Sequence, residues 1–590
     1  MKAPLVILLR VLGSVFGGYG VAALAVAAAA AALAEAGMAR SEAVVLAAML
    51  GFAAYLLLLL WGFSVKGGQR LSFGKSMAWL HTWAGVVLGS LLFAIFWMGS
   101  LSVFDREIDR WMMPGTRIAP AAAALSLDRM ANELVPAVPA KASQWRIDLP
   151  TDRVPVVRFS YRDKKGGTTY RYFDPVRNTF VPEQGTLGGT GFIFPFHYGL
   201  HLKWNDLGKW LVGLAGMAML ALLVSGVVIH KKIFSQFFTF RPHKRLQRSS
   251  LDLHNLTGVV GLPFHFVLTL SGLIIFMSIY FPQAHWLAYG SGKADKEAYT
   301  AEAMGRYSRA KANAPGTLAP LDAMAAHAEQ AWAGGRPYFV RVYHPGDANS
   351  YVELRRSYAR DVTMNLDQIY FDAATGEILH RFEAAPAMTV QRFISGMHFI
   401  QFEHWPLRWL YFCAGLSGCV LIATGFLFWL ESRRARHAKK GLAGVRVVEG
   451  LAVGSITGIV VATLAMFAAN RLLPPGSGFA GQERAALEVW AFYLAWIACF
   501  IHAWCRPRSA WREQVQAILA LALGAVLLNW GTTGDHPVRA LSSGLWSVAG
   551  MDAMLLVLAL AAAVAVRRLP AKLRSAAPAL PAYPAAEPQP

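Results

Sequence analysis

Ten runs of apolar residues dominate the chain, at about 4–34, 43–65, 77–104, 206–230, 254–281, 406–430, 447–469, 486–504, 514–532 and 547–566. Several exceed 18 residues, close to the length a helix needs to cross the hydrocarbon of a bilayer. Within a bilayer only helices and closed barrels satisfy every backbone group, and runs this long read as helices. They predict a polytopic membrane protein whose first partner is the lipid bilayer. A chain that is 55% hydrophobic over 590 residues is too apolar for a soluble enzyme of this size.

The net charge of +21 suggests nucleic acid at first sight, but its placement argues against such a partner. Basic residues gather in alternate loops: Lys66, Arg70 and Lys75; Lys231, Lys232, Arg241, Lys244, Arg245 and Arg248; Arg433, Arg434, Arg436, Lys439, Lys440 and Arg446; Arg506, Arg508 and Arg512; Arg567, Arg568, Lys572 and Arg574. This is the positive-inside pattern, which puts those loops and both termini in the cytoplasm. "ALAEAGMA" resembles a signal-peptidase site, yet the apolar stretch before it is too long for a secretory leader, so an uncleaved first helix is expected. The four cysteines form no framework, and there is no CxxC or CxxCH motif.

Two long loops, about 105–205 and 282–405, fall outside on this topology. Each reads as a small α+β domain. "LSLDRMANELV" suggests a helix, followed by "QWRIDLP", "VPVVRFSYRD" and "TTYRYFDPVRNTF" as strands. In the second loop "APLDAMAAHAEQAW" precedes "RPYFVRVYHP", "NSYVELRR" and "DQIYFDAATGEILHRF" in the same order.

The order points to an internal repeat. "LHTWAGVVLG" aligns with "LHNLTGVVGL", matching His81 to His254 and Gly85 to Gly258. Eighteen residues after each histidine stand Gly99 and Gly272. "KWLVGLAGMAMLALLVSGVV" aligns with "RWLYFCAGLSGCVLIATGFL", and ahead of them stand His201 and His398. The two halves share one orientation, so the pseudo-twofold runs along the membrane normal. The fold class expected is therefore an all-α polytopic membrane protein of about ten helices, with two small α+β external domains and a central four-helix bundle. Its parts are two N-terminal helices (1–70), helix three (71–104), external domain one (105–205), and helices four and five with their basic loop (206–281). External domain two (282–405), helix six (406–435), four C-terminal helices (436–570) and a low-complexity tail (571–590) follow. Gly450, Gly454 and Gly458 form a small-xxx-small packing stripe on the seventh span.

On this topology His81 and His254 lie near the cytoplasmic face, and His201 and His398 near the external face. Bis-imidazole ligation of a b-type haem needs two neutral imidazoles from facing helices at one depth. A single histidine at a helix end reads first as an interfacial residue, but four at repeat-equivalent places favour two haem b groups. Gly99 and Gly272 return to the histidine face of their helices, leaving room for a flat macrocycle or for close helix packing. His230 is a rival ligand at the inner site, and His197 and His404 at the outer. His265 has no twin, since its counterpart is Leu92. It suits a role between the haems, such as bonding a water or a propionate, with ligation a lesser alternative. Lys203, Arg392 and Arg408 read as interfacial charges or propionate partners. No catalytic residue, nucleotide loop or flavin or nicotinamide domain is visible, so electrons would come from a separate cytoplasmic or membrane donor.

"LHTWAGVVLG" with "FDREIDRWMMP", "DLHNLTGVVGLPFH", "MHFIQFEHWPLRWLYF" and "YFDAATGEIL" together resemble the PepSY-associated transmembrane helix family over about 75–435. The resemblance implies PepSY-like periplasmic domains and a link to iron uptake, as in di-haem reductases of ferric siderophores. It carries the haem-iron ligands to His81, His201, His254 and His398. The alternatives are a siderophore or metal permease and a sensory or scaffold protein with PepSY domains.

Overall fold

The computed structural model describes residues 11–64, 73–120, 125–163, 166–230 and 239–573. Lys66, Arg70, Lys231, Lys232 and the tail beyond 573 lie outside the described residues. Nine described helices are long and apolar enough to cross a membrane, and a bent pair makes a tenth. This is a multi-pass membrane protein. In chain order its main helices are α1 (Gly13–Glu35), α2 (Arg40–Ser64), α3 (Phe73–Ser102), α4 (Asp105–Met112), α5 (Leu127–Leu134), α6 (Phe194–Gly199), α7 (Leu207–Ile229), α8 (Leu246–Val260) and α9 (Leu262–Ile275). They continue with α10 (Leu321–Ala331), α11 (Pro386–Phe399), α12 (Trp405–Lys439), α13 (Gly444–Leu472), α14 (Arg484–Cys505), α15 (Ala510–Thr533) and α16 (Trp546–Leu573).

The expected span 254–281 is not one straight helix. α8 and α9 meet at 64°, and α9 ends at Ile275. Pro263 stands in the first turn of α9. It has no N–H to donate to the preceding turn, and its ring crowds the carbonyl there. The matching residue in α3 is Ser90, and α3 runs unbroken.

The strands of the two long loops join in one sheet. They are β1 (Gln144–Asp148), β2 (Val157–Arg162), β3 (Thr168–Asp174), β4 (Thr179–Val181), β5 (Pro337–Tyr343), β6 (Tyr351–Arg356), β7 (Gln368–Asp372) and β8 (Ile378–Phe382). They form one antiparallel sheet of eight strands in the order β4-β3-β2-β1-β5-β6-β7-β8. β1 and β5 would each be an exposed edge if the halves stood alone, a ready template for wrong pairing. Pairing them, with Arg146 opposite Arg341, closes both edges. One face of the sheet carries a core fed from both halves: Trp145, Ile147 and Phe159 with Val340, Leu354 and Phe371, under Leu134 of α5 and Met324 of α10.

The two sheet helices cap each other. Asp322 accepts from the Leu127 N–H at 2.6 Å, and Asp128 accepts from the Leu321 N–H at 2.7 Å. Each carboxylate lies at the partner helix's N-terminus, where orphan N–H groups and the helix dipole favour a negative charge. The pseudo-twofold of the repeat thus survives at the level of single hydrogen bonds.

By chain contacts the molecule divides into residues 1–240 with 253–422, and 241–252 with 423–590. The first unit includes α1 and α2, which the sequence placed outside the core. Tyr19 of α1 donates to the Tyr280 carbonyl at 2.7 Å and stacks on Phe281. Glu42 of α2 accepts from the Ala387 and Met388 N–H groups at 2.7 and 3.2 Å, capping α11. In the second unit, Gly450, Gly454 and Gly458 of α13 lie against Trp504, Phe500 and Cys499 of α14, so a Cβ at any of them meets a side chain. The stripe packs helices, as its spacing predicts.

Candidate functional site

His81 stands in the third turn of α3 and His254 in the third turn of α8. Their rings lie 6.1 Å apart, centre to centre, at 83°. His81 Nδ1 is 3.0 Å from the Leu222 carbonyl of α7, and His254 Nδ1 is 2.9 Å from the Leu421 carbonyl of α12. A carbonyl oxygen can only accept, so each Nδ1 carries the proton and each Nε2 keeps its lone pair. Leu222 and Leu421 occupy the same place in the two halves, each four residues before a glycine, Gly226 and Gly425. A Cβ on Gly226 would come within 3.2 Å of the His81 ring.

The second pair lies toward the sheet. His197 near the end of α6 and His398 near the end of α11 have ring centres 5.9 Å apart, with planes at 23°. His197 Nδ1 meets the Ile95 carbonyl at 2.9 Å, and His398 Nδ1 meets the Leu268 carbonyl at 2.8 Å. Ile95 and Leu268 stand four residues before Gly99 and Gly272. A Cβ on either glycine would lie 2.7 Å from the histidine ring above it. The clearance expected for a macrocycle is therefore taken up by the imidazoles themselves. The repeat-matched Gly85 and Gly258 face Leu222 and Leu421.

His201 does not face His398. Its Nε2 bonds the Phe192 carbonyl at 2.9 Å and its ring packs on Phe192. The sequence alignment set His201 opposite His398; the structure places His197, the other histidine of "HYGLHL", beside His398. α6 ends at Gly199, and Leu200 and His201 both turn left-handed, at φ 50° and 56°. α11 ends just before Ile400, at φ 54°. His197 and His398 stand three and two residues before these left-handed caps, and it is their ring contact that pairs them.

The remaining histidines are dispersed. His230 ends α7, its N–H on the Gly226 carbonyl at 3.1 Å. His404 accepts from the Leu407 N–H at 3.4 Å at the start of α12. His265 is fully buried, one turn past the bend. Its Nε2 lies 3.2 Å from the Ala414 carbonyl and 3.1 Å from Ser417 Oγ of α12. That is the reverse of the four paired rings, and its Nδ1 is buried without a partner.

Two imidazole nitrogens each about 2 Å from one metal ion put the ring centres about 6 Å apart. Both pairs have that spacing. Among the described residues no three His, Cys, Asp or Glu side chains converge as a ligand set. Each pair by itself offers two nitrogens, the number a macrocycle-bound iron takes. His197 and His398 line a cavity of about 140 Å³ walled by Leu92, Phe96, Tyr198, Met219, Tyr280 and Tyr411.

Arg408, a candidate propionate partner from sequence, is committed elsewhere. It is fully buried and reaches both oxygens of Glu107 at 3.2 and 2.9 Å, and Arg153 holds the same carboxylate at 2.9 Å. Burial alone would raise the Glu107 pKa, but the hydrogen bonds and charges of Arg153 and Arg408 outweigh it and hold the carboxyl at about 2. On the same short helix, burial raises Asp109 to about 7 against hydrogen bonds from Thr190 and Gly189.

Residues 78–432 match the profile of the PepSY-associated TM region. The chain is also similar to an uncharacterized protein of Pseudomonas aeruginosa, 28% identical over 405 residues, covering 64% of this chain and 93% of that protein. Both histidine pairs and the whole sheet lie within the matched residues.

Proposed function

The chain belongs to the family defined by the PepSY-associated TM region, and on that footing we propose that it is a di-haem b oxidoreductase of the bacterial inner membrane. Electrons from a cytoplasmic or membrane donor reach the periplasmic face, where Fe(III) held by a siderophore is reduced to Fe(II) for uptake. The observation that carries this reading is the shared hydrogen-bond pattern: all four paired imidazoles fix Nδ1–H on a backbone carbonyl and present Nε2. Metal-bound histidines are oriented in this way, the second nitrogen setting both tautomer and ring direction.

When bound, haem supplies one-electron exchange between Fe(III) and Fe(II). The chain's own residues do the rest. Leu222, Leu421, Ile95 and Leu268 aim the ligands. Gly99 and Gly272 let the rings of the outer pair come close against α3 and α9. Apolar walls keep the outer site dry. The 18 residues from His81 to Gly99, which lies under His197, rise about 27 Å along α3. That span approaches the thickness of the hydrocarbon, so two sites at its ends would divide the crossing into short steps.

The purified protein should hold two haems per chain and show Soret and α bands in a reduced-minus-oxidised spectrum. Adding a ferric siderophore to the reduced protein should bleach the α band while Fe(II) appears in a chelator assay. Folded protein without haem bands would end this reading. One observation favours the permease alternative, the deep His265 with its unpartnered nitrogen. Uptake of labelled chelate into proteoliposomes without reductant would support that instead.

A further inference from the structure

A second cavity, of about 280 Å³, lies between α4 and the sheet face opposite the apolar core. Gln401 lines it and also lines the cavity of His197 and His398. It is the one residue the two linings share. Arg106 reaches Gln401 Oε1 at 3.4 Å from the far side.

Guanidinium groups outnumber carboxylates in the lining of this cavity. Five guanidinium groups, of Arg106, Arg110, Arg146, Arg153 and Arg158, face three carboxylates, of Asp109, Asp148 and Glu403. Arg153 is matched by Glu107 at 2.9 Å and Asp105 at 3.6 Å behind the wall. Arg146 and Arg158 share the single carboxylate of Asp148, and the Arg158 side chain is 41% exposed. Tyr172, Tyr338 and Tyr358 add phenol groups. Burial raises Tyr172 and Tyr358 to about 12, so these phenols stay protonated and donate. Asp109, at about 7, is partly uncharged near neutral pH and offsets the arginines weakly.

A concave site with surplus guanidinium and phenol donors suits a ligand that is anionic and rich in oxygen acceptors. A cation would meet repulsion and few acceptors. We infer that this cavity binds the carboxylate groups of an anionic iron chelate, selects it over cationic chelates, and holds it where the lining shares Gln401 with the cavity of the His197–His398 pair. The inference rests on the reductase reading for the identity of the ligand as an iron chelate, but binding itself involves no electron transfer.

The test uses the full-length protein in nanodiscs and gallium(III) complexes, which copy the ferric ones in charge and size and are not reduced. Calorimetric titration with gallium(III) citrate should give saturable binding that weakens at least tenfold in the R106Q/R158Q double variant. It should also weaken steeply as salt rises. A cationic gallium(III) trihydroxamate should bind at least tenfold more weakly than the citrate. A His398→Ala variant should lose the outer haem signal and still bind gallium(III) citrate, so loss of the redox reading and loss of the binding site are scored separately. Equal binding of the cationic complex would overturn the inference. So would a double variant that keeps citrate binding but loses haem, which would assign these arginines to haem propionates. The wild-type salt and charge series decides the matter even where the double variant fails to fold.

Discussion

Four histidines in the first unit spend Nδ1 in the same way, and His265 alone among the deep ones spends Nε2. That difference separates ligand candidates from the rest better than depth or spacing. His197→Ala should halve the haem content by pyridine haemochrome, whereas His201→Ala should leave two haems per chain. The reverse result would restore the alignment made from sequence. Gly272→Ala places a methyl 2.7 Å from the His398 ring. Overpacking of this kind costs about 1–3 kcal/mol, so the outer haem should be retained less well and its midpoint potential should move, while the inner one stays unchanged. His81 and His254 were legible because each opens a matching "LH" motif on a repeat helix. His197 was harder to read because "HYGLHL" holds two histidines ahead of α7 and the repeat alignment fixes no register there. The left-handed residues that end α6 and α11 leave no clear mark in the sequence, since Leu200 and Ile400 are neither glycine nor asparagine.

At the scale of elements, α4 fastens the sheet to the helical bundle. Glu107 takes Arg153 from the β1–β2 connection and Arg408 from α12, all three buried. Removing one member of such a cluster leaves buried charge uncompensated and costs about 3–5 kcal/mol. Glu107→Gln should therefore lower the melting temperature in detergent sharply, and the haem bands should broaden or fade with it. Asp109 works in the opposite sense. It keeps its proton up to about 7 in the fold but only to about 4 in an unfolded chain. Between those values the folded state binds more protons, so this group lowers stability as pH rises from about 4 to about 7. Asp109→Asn should flatten that part of the pH–melting curve, and an unchanged slope would show that the proton is held elsewhere. The strands themselves were readable from alternation, whereas the bend at Pro263 was not read, because apolar residues run straight through it and the stretch reads as one span. The joining of β1 to β5 was not readable, because local periodicity shows that a strand has an edge and not which distant strand will cover it.

The whole molecule separates what the histidine pairs need from what surrounds them. Every residue that aims a paired imidazole, from Ile95 to Leu421, belongs to the first unit, and so do the sheet and the N-terminal helices that hold α11 through Glu42. The Pseudomonas aeruginosa relative matches 64% of this chain with 93% of its own length. Helices α13–α16 have a core of their own, in which α13 is buried along most of its length and Thr457 bonds Gln514 at 2.7 Å. A chain ending at Leu442, after α12, should therefore fold in the membrane with both histidine pairs intact. It should bind two haems, give the same dithionite-reduced spectrum and be reoxidised by a ferric siderophore at the full-length rate. If the C-terminal helices receive the electron donor, the truncated protein will still accept electrons from dithionite but not from membrane quinol. Loss of either haem on truncation would instead mean that the second unit supplies part of a binding site, and the division between the units would have to be redrawn around it.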